Sequence, residues 1–216
     1  MKLRTLKLKD ANRMLEWMHN DDIVSNLGKN FKFFSLQDCK DFISHSQTDN
    51  SNLHLAITDD TDNYMGTVSL KHVVDNTAEF AIVLHPNAIG LGYARFAIHK
   101  ILSIGFNKLN LKEIYWNVLK SNIRAIKCYD KNGYKRFVPD SVKYLTWGGV
   151  QHFFTRSILL VQDYQKRIRQ RIAIQLKHIF VFYQKNALSY VLYFIKNDFF
   201  SFYLLLLIGI FYLFLI

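Results

Sequence analysis

Two glycines separated by one residue, Gly90 and Gly92, stand between a strand-like segment and a helix-like segment. Glycine lets a backbone approach a ligand closely, and the first N–H groups of a helix are unpaired and lie at the positive end of its dipole. The spacing therefore predicts a cradle for an anionic group such as a diphosphate. A Rossmann turn is disfavoured because Arg95 stands where its third glycine would be, and no lysine has the spacing of a Walker loop.

The elements that must hold this cradle follow from periodicity and turn residues. Residues 77–84 alternate as a strand does and stop at Pro86, whereas residues 92–106 place apolar side chains at helical spacing. Asp10 is predicted to cap a first helix, and Ser35 begins a second with a capping box. The remaining predicted elements are strands at 3–8, 53–58, 64–70, 111–119, 134–138 and 151–160 and a helix at 122–131.

This order of elements favours an α+β or α/β fold with a mixed central sheet. The cradle, read as Asn87-Ala88-Ile89-Gly90-Leu91-Gly92, resembles the coenzyme A motif Q/R-x-x-G-x-G/A of the GNAT acetyltransferases, with asparagine in the first position. Residues 117–134 resemble the second signature of that family, N-x-x-N-x-x-A-x-x-x-Y-x-K-x-G-F, with Tyr134 as the last residue. The resemblance covers about residues 1–157, which we predict to be the acetyltransferase domain. It implies a GNAT-like fold whose mostly antiparallel sheet is flanked by helices.

The resemblance also implies acetyl-CoA as the cosubstrate and transfer of its acetyl group to a primary amine by direct attack. In the family the pantetheine arm inserts between two splayed strands, where backbone groups near Ile82 and Leu84 would bond it. The diphosphate would be bound by N–H groups of residues 90–94. The remaining predicted contacts to the cosubstrate are those of Asn87, Gly90, Leu91, Gly92, Tyr93, Ala94 and Asn122.

Two residues carry the catalytic predictions, again by resemblance. Tyr129 matches the tyrosine that donates a proton or hydrogen bond to the leaving sulfur, and Glu79 matches a strand carboxylate that serves as a base, often through water. Each has a structural alternative: Tyr129 as a core residue, Asn122 as a helix cap, and Glu79 facing solvent or pairing with a lysine. His85 is interpreted as incidental. The tryptophans, Trp17, Trp116 and Trp147, are interpreted as core or cleft residues.

Residues 15–21 and 34–36 resemble the branch of the family that acetylates ribosomal-protein N-termini, polyamines and amino sugars. An amino sugar, a protein N-terminus or a small amine is therefore the expected acceptor. The fold and the cofactor motif do not fix which of these it is.

Composition indicates the cellular compartment and the kinds of partner that would suit the protein. The two cysteines, Cys39 and Cys128, lie far apart and form no ligand cluster, so neither a disulfide nor a metal site is predicted, and a reducing compartment is expected. The net charge of +11 would suit a polyanionic cosubstrate, nucleic acid or anionic lipid. The first residues lack the apolar run of a signal peptide, so the catalytic domain is expected in the cytoplasm.

Composition changes after the catalytic domain. Residues 158–198 are predicted to include a basic amphipathic helix, either on an anionic membrane surface or packed on its own domain. Residues 199–216 carry no charge and just reach the length that spans a bilayer, which predicts a hydrophobic helical tail inserted in the membrane. The positive-inside rule would then keep the domain cytoplasmic. The run ends without a polar flank, so a tail anchor and a truncated or frameshifted membrane protein are both open interpretations.

Two other function classes are weighed against the enzyme. The substitution at Asn87 and the tail are compatible with a membrane-anchored coenzyme A-binding or interaction module that has lost turnover. A nucleic-acid binder would use the positive charge, but no nucleic-acid motif is present and no nucleic-acid partner is predicted.

Overall fold

The computed structural model describes residues 1–27, 29–134, 136–137, 144–147 and 150–197. The chain divides into two compact units, Met1–Asp163 and Tyr164–Ile216. Within the described residues, no helix is both long enough and apolar enough to cross a membrane. The predicted membrane helix at 199–216 lies outside the described residues.

Eight strands and six α-helices make up the described chain. The strands are β1 Lys2–Thr5, β2 Leu53–Thr58, β3 Tyr64–Val74, β4 Thr77–Leu84, β5 Glu113–Leu119, β6 Arg136–Phe137, β7 Tyr144–Trp147 and β8 Val150–Leu160. The helices are α1 Ala11–Met18, α2 Asp21–Val24, α3 Leu36–Ser46, α4 Tyr93–Asn107, α5 Ile123–Lys131 and α6 Val161–Asn197. The predicted strands 53–58 and 77–84 are confirmed to the residue.

The strands form a mixed sheet in the order β1-β2-β3-β4-β5-β8-β6, with β7 paired to β8. Every pairing is antiparallel except that of β4 with β5, which is parallel. The α4 crossover connects these two parallel strands, as parallel neighbours require. The predicted mixed, mostly antiparallel sheet is therefore confirmed.

The two faces of the sheet carry different helices. On one face α1 and α3 build a core in which Met14, Trp17 and Ile43 pack with the sheet residues Ala56 and Tyr64. On the other face α4 lies so close that a Cβ added at Gly105 would stand 2.6 Å from Ile114 Cδ1 and 3.2 Å from Leu70 Cδ1. Because side chains alternate along a strand, each residue of the inner strands can be assigned to one of these faces.

The predicted capping box at the start of α3 is confirmed, since the Ser35 hydroxyl accepts from the Asp38 N–H and the Asp38 carboxylate accepts from the Ser35 N–H. The predicted cap of the first helix is wrong. Asp10 precedes α1, but its carboxylate accepts no hydrogen bond from that helix and instead binds Arg4 at 2.7 and 2.8 Å and the Lys7 N–H at 2.8 Å. A guanidinium fork outcompetes a single backbone N–H because it offers two charge-assisted bonds.

Candidate active site

The only parallel strand pair in the described sheet opens like a fork. Pairing between β4 and β5 is limited to Thr77 with Glu113, Ala78 with Ile114, and Glu79 with Tyr115. Beyond that point β4 remains paired to β3 as far as Leu84, and β5 remains paired to β8 as far as Leu119. Beyond the last pair, the facing edges of the two strands are not hydrogen-bonded to each other. The gap between them could accept an extended chain.

An aromatic cluster fills one side of the vertex of this fork. Phe80 and Trp116 are the first residues after the last strand pair, and their ring centroids lie 5.8 Å apart. Tyr129 of α5 packs on both, at 5.3 Å from Trp116 and 6.4 Å from Phe80, and Tyr134 completes the cluster. Helix α5 therefore delivers the predicted tyrosine to the point where the strands separate.

Burial decides the protonation state of this tyrosine. Tyr129 is 9% exposed, and burial, reinforced by Cys128 and Tyr134, raises its pKa well above that of a free tyrosine. A phenol with a raised pKa keeps its proton at neutral pH. Tyr129 can therefore donate a proton or a hydrogen bond at this position, but it is unsuited to act as a base.

Glu79 lies at the same vertex on the opposite face, because it is the strand neighbour of Phe80. Its carboxylate accepts a hydrogen bond from Asn117 Nδ2 at 3.3 Å, across the start of the fork. Lys71 Nζ lies 3.6 Å from it and His72 Nε2 lies 3.9 Å from it. The alternative in which Glu79 pairs with a lysine is thus observed, together with a position beside the fork.

The predicted cradle follows β4 directly. Pro86–Ala88 forms a short 3-10 turn, and both Gly90 (φ +82°) and Gly92 (φ +86°) adopt the left-handed conformation that favours glycine. Gly92 is the N-cap of α4 and supplies no capping side chain. A Cβ added at Gly90 would meet nothing within 4 Å, and one at Gly92 would meet only Met1 Cε at 4.0 Å. The helix start is therefore open to an external acceptor of hydrogen bonds.

The other predicted cosubstrate residues take the following places. Ile82 and Leu84 lie on β4 beyond its last pair with β5. Asn87 is exposed, as is Leu91, whereas Tyr93, the first residue of α4, is buried. Asn122 is the N-cap of α5 and accepts from the Ala125 N–H at 3.0 Å, so its predicted capping role is confirmed. Its amide also donates to the Asn26 carbonyl at 3.3 Å, which ties α5 to the segment after α2.

Sequence reasoning missed a buried group beside the cradle. His85 is 3% exposed, and its Nε2 lies 2.8 Å from Glu16 Oε2 of α1. Its Nδ1 accepts from the Asn87 N–H at 3.2 Å and from Arg13 at 3.3 Å. Only its place between a strand end and Pro86 distinguished it in the sequence, and its partners on α1 are about 70 residues away.

Comparison with known proteins identifies the family of this chain. The family model of the acetyltransferase (GNAT) domain matches residues 1–135. The chain belongs to the GNAT acetyltransferase family. It is therefore an N-acetyltransferase that takes its acetyl group from acetyl-CoA.

Two curated relatives and one solved structure show how close the similarity is. The spermidine N(1)-acetyltransferase of Vibrio cholerae is 27% identical over 134 residues, which are 61% of this chain and 77% of the relative. An uncharacterized N-acetyltransferase of Bacillus subtilis, YnaD, is 27% identical over 135 residues, or 62% of this chain and 78% of the relative. The crystal structure of the Vibrio cholerae spermidine N-acetyltransferase with CoA and spermine has a TM-score of 0.68 at 25% identity, covering 76% of this chain and 97% of that one.

The cap of α5 generates a stability prediction. Replacing Asn122 by alanine removes the acceptor for the Ala125 N–H and should lower the free energy of unfolding by about 1 kcal/mol. Asn122→Asp is the matched control, because aspartate keeps the capping oxygen while losing the amide that donates to Asn26. Urea unfolding of the protein without ligand measures both variants. An equal loss in the two variants would show that the contact to Asn26, and not the cap, stabilises α5.

Proposed function

We propose that this GNAT enzyme binds acetyl-CoA in the fork between β4 and β5 and transfers the acetyl group directly to a small primary amine. The observation that carries the proposal is that these strands part after Glu79 and Tyr115. A pantetheine arm has amide groups that can add to an open strand edge as a peptide strand does. The start of α4 would then receive the diphosphate, and the thioester would lie near the aromatic cluster at the vertex.

In the proposed reaction the lone pair of a neutral amine attacks the thioester carbonyl carbon. A C–N bond forms, and the C–S bond breaks with its electron pair on sulfur. Tyr129 supplies a proton or a hydrogen bond to that sulfur, and the proton lost by the amine nitrogen passes to Glu79 through water. Because Glu79 and Tyr129 lie on opposite faces of the sheet, proton removal and proton donation occur on the two sides of the reacting carbon.

Direct attack is favoured over an acetyl-cysteine intermediate. Cys128, the neighbour of Tyr129, is half-buried, and burial raises the pKa of its thiol. Burial likewise raises the pKa of Cys39, a residue of α3 that is fully enclosed in the core. A raised thiol pKa suppresses the thiolate that a cysteine nucleophile requires.

The proposed acceptor is a polyamine, because a curated relative and a solved structure similar to this chain are named for spermidine acetylation. Two exposed carboxylates, Asp21 and Asp22, open α2, and the segment after α2 is bonded to α5 through Asn122. These carboxylates suit a cationic acceptor. An amino sugar on an anionic carrier is the second candidate, since residues 1–163 hold 21 Lys and Arg against 16 Asp and Glu.

The reaction proposal predicts distinct effects for its two catalytic residues. Tyr129→Phe should lower kcat about 100-fold, in the range found for general acid–base groups, with the affinity for CoA unchanged. Glu79→Gln should also lower kcat, because the proton released as the amine attacks then has no carboxylate to accept it. Steady-state kinetics and calorimetry with CoA provide both readouts. A Tyr129→Phe enzyme with full kcat would exclude the tyrosine from proton donation.

The acceptor proposal is tested with a panel of amines at a fixed concentration of acetyl-CoA. Spermidine and spermine should give the highest kcat/KM, and raising the salt concentration should lower it, because a polycation is attracted by carboxylates. Asp21→Asn/Asp22→Asn should reduce the use of spermidine but not that of glucosamine. If a nucleotide-linked amino sugar gives the highest kcat/KM, the amino sugar replaces the polyamine as the proposed acceptor. If no amine in the panel is acetylated, a non-catalytic module is favoured.

We further propose that α6 rests on the cytoplasmic surface of an anionic membrane. Between residues 164 and 182 the helix holds five Lys and Arg and no Asp or Glu. Apolar side chains at helical spacing, Ile168, Ile172, Leu176 and Ile179, are between 36% and 58% exposed. A second copy of the helix would bring like charges together, whereas anionic headgroups complement them.

This surface is tested by sedimenting the full-length protein with vesicles. Binding should be stronger to vesicles that contain phosphatidylserine than to pure phosphatidylcholine, and Ile172→Asp/Leu176→Asp should weaken it. Gln170→Asp/Ala173→Asp adds the same charge outside the apolar stripe and should weaken it less. Equal binding to neutral and anionic vesicles would contradict the electrostatic part of the proposal.

A further inference from the structure

His85 lies at the junction of β4 and the cradle and bonds through both its backbone and its side chain. Its backbone N–H donates to the Met65 carbonyl of β3 at 2.9 Å, and its own carbonyl accepts from the Ala88 N–H at 2.9 Å. Its side chain accepts from the Asn87 N–H, as a capping residue does. Three bonds from one residue thus fix where the turn leaves the sheet and how it bends.

The partners of the imidazole also fix its tautomer. Nδ1 faces two N–H donors, Asn87 and Arg13, so it must offer its lone pair and carries no hydrogen. Nε2 then carries the hydrogen and donates to Glu16 at 2.8 Å. Glu16 is 59% exposed on its side chain, whereas the imidazole is 4% exposed, so a surface carboxylate of α1 orients a buried ring.

The turn that His85 holds is a chain of short local bonds. The Ile89 N–H donates to the Pro86 carbonyl at 3.1 Å, and the Leu91 N–H donates to the Ala88 carbonyl at 3.4 Å. Gly90 and Gly92 follow in left-handed conformations, after which α4 begins. A change in the bend at Asn87 therefore propagates to the N–H groups at the start of α4.

We propose that His85 is a positioning residue for the diphosphate of the cosubstrate: held by Glu16 and Arg13 of α1, it sets the Pro86–Gly92 turn in the shape that presents the first N–H groups of α4. This inference rests on the proposed role of residues 90–94 as the diphosphate cradle. His85 itself makes no contact with the reacting atoms. Its effect should fall on the binding of the diphosphate and leave the chemical step intact.

The test compares two acetyl donors, acetyl-CoA and S-acetylpantetheine, of which only the first has a diphosphate. His85→Ala should raise the KM for acetyl-CoA about tenfold, the size of one lost capping bond, with kcat unchanged. The kcat/KM for S-acetylpantetheine should stay as in the wild-type enzyme. A merely structural role would impair both donors alike.

Two further variants separate the two ends of the imidazole. His85→Asn retains an oxygen that can accept from the N–H two residues later but loses the bond to Glu16, so it should restore the KM for acetyl-CoA only in part. His85→Gln can reach Glu16 but not the turn, so it should behave as His85→Ala does. Thermal unfolding of each variant is the control that checks whether the domain is still folded.

The outcomes distinguish a failure of the role of His85 from a failure of the proposed cosubstrate site. An unchanged KM for acetyl-CoA in His85→Ala, or an equal loss with both donors, overturns the role of His85 alone. If Gly92→Val also binds CoA normally by calorimetry, the cradle assignment fails as well. A wild-type protein that does not bind CoA removes the proposed cosubstrate site and this inference together.

Discussion

The candidate active site depends on one constraint, which is that β4 and β5 run parallel and pair at one end only. Their outer edges are occupied, by β3 and β8, so the sheet around them is held while the space between them stays open. Backbone N–H and C=O groups along such an internal edge need partners. A sheet with an open internal edge is therefore complementary to an extended amide-containing ligand.

The fork also explains why the two candidate catalytic side chains do not touch each other. Alternation along β4 sends Glu79 to the face of α1 and α3 and Phe80 to the face of α4, where Tyr129 packs. On one face the carboxylate is partly exposed and bonded to Asn117 and Lys71. On the other face the phenol is buried, which raises its pKa and keeps it protonated. One strand thus separates a polar environment from an aromatic one.

Local patterns in the sequence predicted the elements well and their contacts poorly. Strands 53–58 and 77–84 alternate cleanly between turns, and the Ser35 capping box is a local interaction, so each could be read without tertiary information. Helix α2, Asp21–Val24, was missed because four residues show no helical period. Asp10 was misassigned because its strongest partner, Arg4, competes with the cap. The fork depends on pairing between Thr77–Glu79 and Glu113–Tyr115, which are distant in the sequence, so periodicity did not predict it and only the family resemblance implied it.

The glycines of the cradle are necessary for the shape of its backbone but are insufficient to keep that shape rigid. Left-handed φ angles at Gly90 and Gly92 are what allow the backbone to turn toward α4, but glycine adds conformational freedom and gives the turn no stiffness of its own. The stiffness must come from residues that bond to its other end. His85 supplies it, through Met65 of β3, through the N–H of Asn87, and through Glu16 of α1. A glycine motif read in isolation therefore identifies where an anion can bind, while its preorganisation resides in a histidine whose partners lie in another helix.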